Sequence, residues 1–282
     1  KISRLMVGRD VVLKMEKEDP KNGKVLVDVK NLVVADQGGR RLIDDMSFSI
    51  REGEVVGIAG VEGNGQSELS EVLSGMKSYS QGTVVINGMN IHGKSVREIR
   101  ENGLAHISED RMVFGCAGTL SIKENIIADR FRKKEFRNSI FLNEKKINQE
   151  VDGYIREFEI ACDDRDQPVR MLSGGNIQKV VVARESGANV ILANQPTRGI
   201  DVGTAEMIRK TLLRKVREEN VGVLLVSADL NEVLEVSDRL FVMRKGKIVA
   251  AFPRANQVSE EELGEYMLGL KVMTNEEMAG VI

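Results

Sequence analysis

Residues 54–75 read EVVGIAGVEGNGQSELSEVLSG, and every other segment of the chain is placed by reference to them. The apolar run Val55-Val56-Gly57-Ile58-Ala59 is short and unbroken, the pattern of a strand buried on both faces. Four glycines fall close together, at Gly57, Gly60, Gly63 and Gly65. From Gln66 onward Leu69, Val72 and Leu73 recur at helical spacing, and Gly75 is a natural stop. Strand, glycine loop and helix make a cradle for a phosphate. Backbone N–H groups converge where glycines allow close approach, and the helix N-terminus adds partial positive charge.

The spacing Gly60-x-x-Gly63-x-Gly65-Gln66-Ser67 fits the P-loop pattern G-x-x-x-x-G-K-[ST] except at one position. Where the pattern has a lysine that reaches the β- and γ-phosphates, this chain has Gln66. Taken alone, the stretch also reads as a plain glycine-rich turn between strand and helix. The missing lysine gives that second reading its weight, so the rest of the chain has to decide.

Bulk properties narrow the field. At 282 residues the chain accommodates one large domain or two small ones with a proper core. A formal net charge of −2 implies no global attraction to nucleic acid. Cys116 and Cys162 form neither a framework nor a C-x-x-C pair, which suits a reducing cytoplasm. His92 and His106 sit outside any metal-ligand spacing and read as ordinary surface or core residues. The longest apolar runs, such as residues 221–226, are too short to cross a bilayer. No signal peptide is seen, and an opening on Lys1 rather than Met is expected of a piece of something longer.

Along the chain, residues 1–22 are polar and of mixed charge and read as a linker or edge segment. Residues 23–107 read as an antiparallel layer beside the P-loop core. Strands are expected at Val25-Leu26-Val27, at Leu32-Val33-Val34 and through the alternating Met46-Ser47-Phe48-Ser49-Ile50. A turn at Asn87-Gly88 then joins two further strands, and Ser95-x-x-Glu98 is a capping box for a helix ending at Gly103. Residues 108–168 change character. Ser121 precedes a helical run, and Asn143 caps a helix with Ile147, Val151, Tyr154, Ile155 and Phe158 on one face. Residues 111–146 hold nine basic and four acidic residues. That surplus reads either as a solvated helical face or as a surface for a membrane-embedded partner. Residues 169–256 return to alternating helices and buried strands: helix over 176–187, strand at 190–193, helix over 205–219, strand over 221–227, helix from Asn231 and a hairpin at Lys245-Gly246. Such alternation argues for a mostly parallel sheet covered on both faces. Over residues 257–282, Ser259-x-x-Glu262 caps a last helix and the tail beyond Leu270 reads as loosely held.

The decisive segment is Leu172-Ser173-Gly174-Gly175-Asn176-Ile177-Gln178. A serine and two glycines at a helix start offer exposed amides, a hydroxyl and a positive dipole end, although as an isolated pattern they make only a turn and cap. Here they follow the P-loop-like stretch and precede a buried strand ending in Asn194-Gln195-Pro196-Thr197. That order resembles the ATP-binding cassette family over residues 25–252.

The resemblance implies a P-loop NTPase-type α/β fold, with an antiparallel β layer and an inserted helical subdomain. It implies ATP and Mg2+ as cofactors, with Gly60, Glu62, Gly63, Asn64, Gly65, Gln66, Ser67 and Glu68 around the nucleotide and Ser67 toward magnesium. Leu172, Ser173, Gly174, Gly175, Asn176 and Gln178 match the family's signature motif, which clasps the γ-phosphate of ATP held by an opposite cassette. Glu109, Asp110 and Arg111 fall on the loop that senses the membrane domain, and Gly199 and Asp201 on the loop after the Walker B strand. Four positions of the site depart from the pattern: Gln66 for the phosphate lysine, Asn194 for the Walker aspartate, Gln195 for the catalytic glutamate and Ala228 for the switch histidine, and in the coupling loop Glu109 stands where a glutamine is usual. No tyrosine lies just upstream of the P-loop to stack on adenine, which leaves Arg40 or Arg41 to lean on the ring.

Losing one charge-assisted contact costs roughly 1.5–3 kcal/mol, so glycine amides are expected to hold nucleotide weakly. Phosphoryl transfer needs positioned charge, which this site has lost, so almost no hydrolysis is expected. A retained signature beside a ruined Walker pair implies a second cassette that the signature completes. Fused tandem cassettes of bacterial importers for simple sugars and nucleosides have this asymmetry. Their second halves are similar to this chain at residues 172–179 and 195–201, and residues 4–9 look like the joint between halves. The resemblance further implies transmembrane permease subunits, an extracellular or periplasmic substrate-binding protein, no nucleic acid, and a place on the cytoplasmic face of a bacterial membrane. A cassette protein acting on nucleic acid or the ribosome is the alternative. It wants strongly basic arms or a long coiled insertion.

Overall fold

The computed structural model describes residues 23–139 and 141–282, so the expected linker over 1–22 and its joint at 4–9 lie outside the described residues. The chain forms two compact units. The smaller comprises residues 107–187 and 196–208, and the larger residues 23–106, 188–195 and 209–282.

The larger unit opens with β1 (Val25–Ala35) and β2 (Arg41–Arg51), paired antiparallel. The two strands expected at 25–27 and 32–34 are one. A bulge between Val29 and Leu32 absorbs the exposed Lys30 and Asn31, and Asn31 sits at φ 50°. Its amide N–H donates to Ser47 Oγ at 2.9 Å and its Nδ2 to Asp45 Oδ1 at 2.8 Å, so the charged interruption is bridged rather than ending the strand. β3 (Val55–Ala59), buried at every position, leads through the glycine loop into α1 (Gln66–Leu73). β4 (Gln81–Ile86) and β5 (Met89–Asn90) complete a four-stranded sheet of order β2-β1-β4-β5. Next come α2 (Val96–Glu101), with the Ser95–Glu98 capping box formed, and β6 (Leu104–Ile107).

The smaller unit contains α3 (Ile122–Ile127), the short hairpin β7 (Arg137–Asn138) and β8 (Phe141–Leu142), α4 (Glu144–Glu157) and α5 (Gly174–Glu185). Ser121, Asn143 and Ser173 cap the three helices. Ile122, Ile126, Phe136, Ile147, Val151 and Phe158 are buried. Arg130 departs from the expected solvated basic face. It is 5% exposed, with Nε on Asp129 at 2.9 Å and Nη1 on Tyr154 Oη at 2.7 Å.

The rest of the larger unit runs β9 (Val190–Asn194), α6 (Val202–Glu219, starting in the smaller unit), β10 (Gly222–Val226), α7 (Leu230–Val236), β11 (Arg239–Arg244), β12 (Lys247–Phe252), α8 (Glu260–Leu268) and α9 (Asn275–Met278). The second sheet has the order β12-β11-β3-β10-β9-β6. β3 pairs parallel with both β10 and β11, which puts the glycine loop at the C-terminal edge of a central strand, where α/β sheets bind ligands. The tail beyond Leu270 is not loose. Met273 N–H donates to Val249 O at 2.9 Å, Met278 is 5% exposed, and a Thr274–Glu277 capping box opens α9. Its two methionines cover apolar surface that the sheet would otherwise expose.

Candidate functional site

Gly65 caps α1 at φ 108°, a conformation open to glycine and hard for other residues. A Cβ there would stand 2.7 Å from Leu42 O, so the loop is clasped against β2 as well. Gln66, where a lysine is usual, is 7% exposed and turned back into the loop. Its Nε2 donates to Val61 O and its Oε1 accepts from Asn64 N–H, each at 3.1 Å. A Cβ on Gly60 would collide with that same amide. Asn64 braces the loop from outside: Nδ2 donates to Val61 O at 2.8 Å, while Oδ1 accepts from Lys245 N–H at 2.7 Å. An anion entering this loop therefore has to displace the Gln66 carbonyl from the Asn64 amide. Beside the loop lies a cavity of about 350 Å3, lined by Arg40, Arg41, Gly63, Asn64, Gly65, Glu68 and Lys245 among others. Glu62 and Ser67 are exposed.

Two of the departures from the pattern meet each other. Gln195 sits at φ 50°, its N–H donates to Val226 O at 2.7 Å, and its Oε1 accepts from Ala228 N–H at 3.2 Å. Left-handed backbone at a non-glycine costs on the order of 1 kcal/mol, and these bonds hold it. Asn194, 7% exposed, ends β9 as a neutral amide. Asp229, next to Ala228, caps α7 by accepting from Asn231 N–H at 3.0 Å and Glu232 N–H at 3.3 Å. Among the described residues no group of three or more His, Cys, Asp or Glu is placed to hold a metal ion.

The other candidates belong to the smaller unit. Ser173 is exposed, and its Oγ accepts from Asn176 N–H at 3.4 Å and Asn176 Nδ2 at 3.0 Å. Leu172, Gly174, Gly175 and Asn176 are partly exposed. Gln178 is different. It is 1% exposed and its Nε2 donates to Pro196 O at 2.7 Å, so it holds a neighbouring loop and does not face outward. Glu109 pairs with Arg198, and Asp110 Oδ1 accepts from Met112 and Val113 N–H at 2.9 and 3.0 Å. Asp201 accepts from Thr204 N–H at 2.9 Å and from Thr204 Oγ at 2.8 Å, which together hold its carboxyl below the usual range. This cap starts α6 at Val202, three residues before the helix expected from the sequence. Two features are not legible in the sequence: the turned-in Gln66 amide and the bonds of the Arg111 guanidinium to Arg198 O and Gly199 O. Neither leaves a periodic trace in the chain.

A glycine loop between a central parallel strand and a helix defines a phosphate-binding α/β domain. The comparisons give the class its particular form. The ABC transporter family model matches residues 43–198. The chain is 37% identical over 270 residues to the guanosine import ATP-binding protein NupO of Bacillus subtilis (strain 168), covering 95% of this chain and 52% of that protein. It is 32% identical over 272 residues to the ribose import ATP-binding protein RbsA of Clostridium perfringens (strain 13 / Type A), covering 96% of this chain and 53% of the relative. Its fold matches the bacterial ABC transporter cassette MJ0796 in dimeric form, with a TM-score of 0.70, 21% identity, and coverage of 80% of this chain and 97% of that one. The chain belongs to the ABC transporter family, whose ATPase domain implies a nucleotide ligand. It spans about half the length of the curated relatives it matches. Among the described residues no helix is long and apolar enough to cross a membrane.

Proposed function

We propose that this chain is the second, C-terminal nucleotide-binding half of a tandem ABC importer ATPase for nucleosides or simple sugars. Its Ser173-Gly174-Gly175 turn completes the ATP site of a partner cassette, and its own site binds ATP weakly and does not hydrolyse it. One contrast carries the reading: the signature turn is open at a helix start, while the chain's own glycine loop is filled by the Gln66 amide. ATP fits the loop once Gln66 swings out, with Gly60, Gly63 and Gly65 allowing close approach and Glu62, Asn64, Ser67 and Glu68 around it. Magnesium fits poorly. Of the residues assigned to it only the Ser67 hydroxyl is an apt donor, and Asn194 and Gln195 are neutral, so the phosphates would carry the metal in.

The importer reading draws support from relatives named for guanosine and ribose import. The smaller unit takes the part of the helical subdomain, expected over 108–168 and here running on through 187 with 196–208, and the larger unit that of the nucleotide-binding core, with 257–282 as its C-terminal helix and tail. On the turn after Glu109-Asp110-Arg111, Met112, Val113 and Phe114 are 45%, 67% and 67% exposed, an apolar face suited to a transmembrane permease subunit. The partners are thus a cassette fused N-terminally, permease subunits at the cytoplasmic face of the membrane, and a substrate-binding protein beyond it.

Mixing tests this. The chain alone is expected to release almost no phosphate from ATP. Added to an intact first cassette, it is expected to raise turnover, and Ser173→Ala is expected to abolish the gain. Brisk hydrolysis by the chain alone, or a gain indifferent to Ser173, defeats the reading.

A further inference from the structure

Three stretches far apart in sequence converge on one guanidinium in the smaller unit. Arg111 Nη1 donates to Arg198 O at 2.8 Å, and Nη2 donates to Gly199 O at 3.2 Å. On the signature side, Gly174 packs so closely that a Cβ there would stand 3.1 Å from Arg111 Nη2. Gly175 is bounded on its own side by Asp201 Oδ2 and Thr204 Oγ, each 3.0 Å from where its Cβ would sit. Two residues before Arg111, Glu109 takes the side chain of Arg198 in an ion pair. The base of Arg111 is fixed as well, because the Asp110 carboxylate gathers the amides that follow it into a tight turn over Arg111–Gly115.

Gly174 and Gly199 have no side chains with which to anchor themselves, so their position depends on what they lean against. A planar guanidinium reaches two carbonyls at once in a fixed geometry, whereas an ammonium is a single point of charge. The same turn that carries Arg111 inward carries Met112, Val113 and Phe114 outward.

We propose that Arg111 is a positioning residue that fastens the coupling segment to the Ser173-Gly174-Gly175 turn and to the 198–201 loop together. A displacement of residues 109–115 is then passed to both loops at once. This rests on the reading above, in which the Ser173-Gly174-Gly175 turn is what the chain presents to a partner's nucleotide.

Hydrogen exchange on the 282-residue chain tests the clamp without nucleotide or partner. Arg111→Gln is expected to speed exchange by about tenfold at the first protected amides of each loop, Asn176 and Ile177, which bond back to Ser173, and Thr204 and Ala205, which bond back to Asp201. The rest of residues 107–187 and the thermal midpoint are expected to hold. Arg111→Lys is expected to protect one of the two loops and not both. The proposal is overturned if Arg111→Gln loosens neither loop or only one, or if it raises exchange throughout the unit and lowers the midpoint. A second arm measures ATP turnover with an intact companion cassette, where Arg111→Gln is expected to lower kcat by about tenfold or more with KM unchanged. If Ser173→Ala abolishes that turnover and Arg111→Gln leaves kcat alone, the clamp is wrong and the lent signature stands. If Ser173→Ala has no effect, the lent signature is wrong, and the exchange data still decide the clamp.

Discussion

The Gln66 side chain does in this loop what an incoming anion would do: it satisfies the Asn64 amide. On the proposed reading, restoring a lysine alone does not rebuild the chemistry, because Asn194, Gln195 and Ala228 carry no charge either. Phosphoryl transfer is mainly positioning and electrostatic stabilisation, and each lost stabilising group costs a factor of about 100 or more. In Gln66→Lys with Gln195→Glu, Asn194 remains neutral and Ala228 still offers only a backbone N–H, at present spent on Gln195. Phosphate release by that double variant is expected to stay at least about a hundredfold below an intact cassette. Turnover matching that of an intact cassette would falsify our account of the site. Much of this was legible in the sequence, because glycine spacing and a Ser-Gly-Gly cap are local signals with a fixed backbone meaning. What the Gln66 amide and the Arg111 guanidinium touch was not, since a long side chain's rotamer is chosen by atoms that lie elsewhere in the chain.

At the scale of elements, the same contrast runs through the caps and strands. The S/T-x-x-E pattern foretold the Ser95–Glu98 box, and Ser121 was placed correctly before α3, where Glu124 completes a second box. The Thr274–Glu277 box is not legible in the sequence, because it opens a helix of four residues, too short to show a period. In sequence β1 looks like two strands, because Lys30 and Asn31 break the alternation, and only pairing on both sides, to β2 and β4, reveals a bulge instead. The boxes make a pH prediction. Glu98 is held down to about 2, first by the Ser95 backbone N–H, then by the Lys94 ammonium and the Ser95 hydroxyl. Glu124 and Glu277 are lowered by their own Ser121 and Thr274 amides. A carboxyl whose folded pKa is depressed contributes stability that is full above its unfolded value of about 4.3. That contribution is lost as pH falls through the folded value, so fraying of α2 is expected between about pH 4.3 and 2. Ser95→Pro removes both the amide proton and the hydroxyl and is expected to return the Glu98 titration, followed by carboxyl NMR, toward the ordinary value. No change in that titration would detach the shift from the cap.

For the molecule as a whole, the alternation of buried strands and helices was enough to predict a parallel sheet, since strands covered on both faces read as continuous apolar runs. Nothing in the sequence foretold what ties the N-terminal edge of that sheet to the chain end. Glu54, at the entrance to β3, and Arg239, at the start of β11, are 185 residues apart and form a two-pronged pair with contacts at 2.7 and 3.0 Å. Arg239 also donates to Ser49 O and to Val281 O, so one guanidinium joins β2, β3, β11 and the C-terminal tail. Next to it Asp238 accepts from Val55 N–H at 2.8 Å and pairs with Arg217. Both carboxylates are buried. Removing one partner of a buried pair leaves a charge with neither water nor a counter-ion, which typically costs about 3–5 kcal/mol. Replacing both by apolar groups of similar volume escapes most of that penalty. Arg239→Ala is therefore expected to lower stability in urea by about 3 kcal/mol or more. Glu54→Leu combined with Arg239→Met is expected to lose clearly less than the single change, even though two residues are altered. If the double variant is as unstable as Arg239→Ala, the cost lies in the lost bonds to Ser49 and Val281, and the stranded Glu54 carboxylate is not the cause.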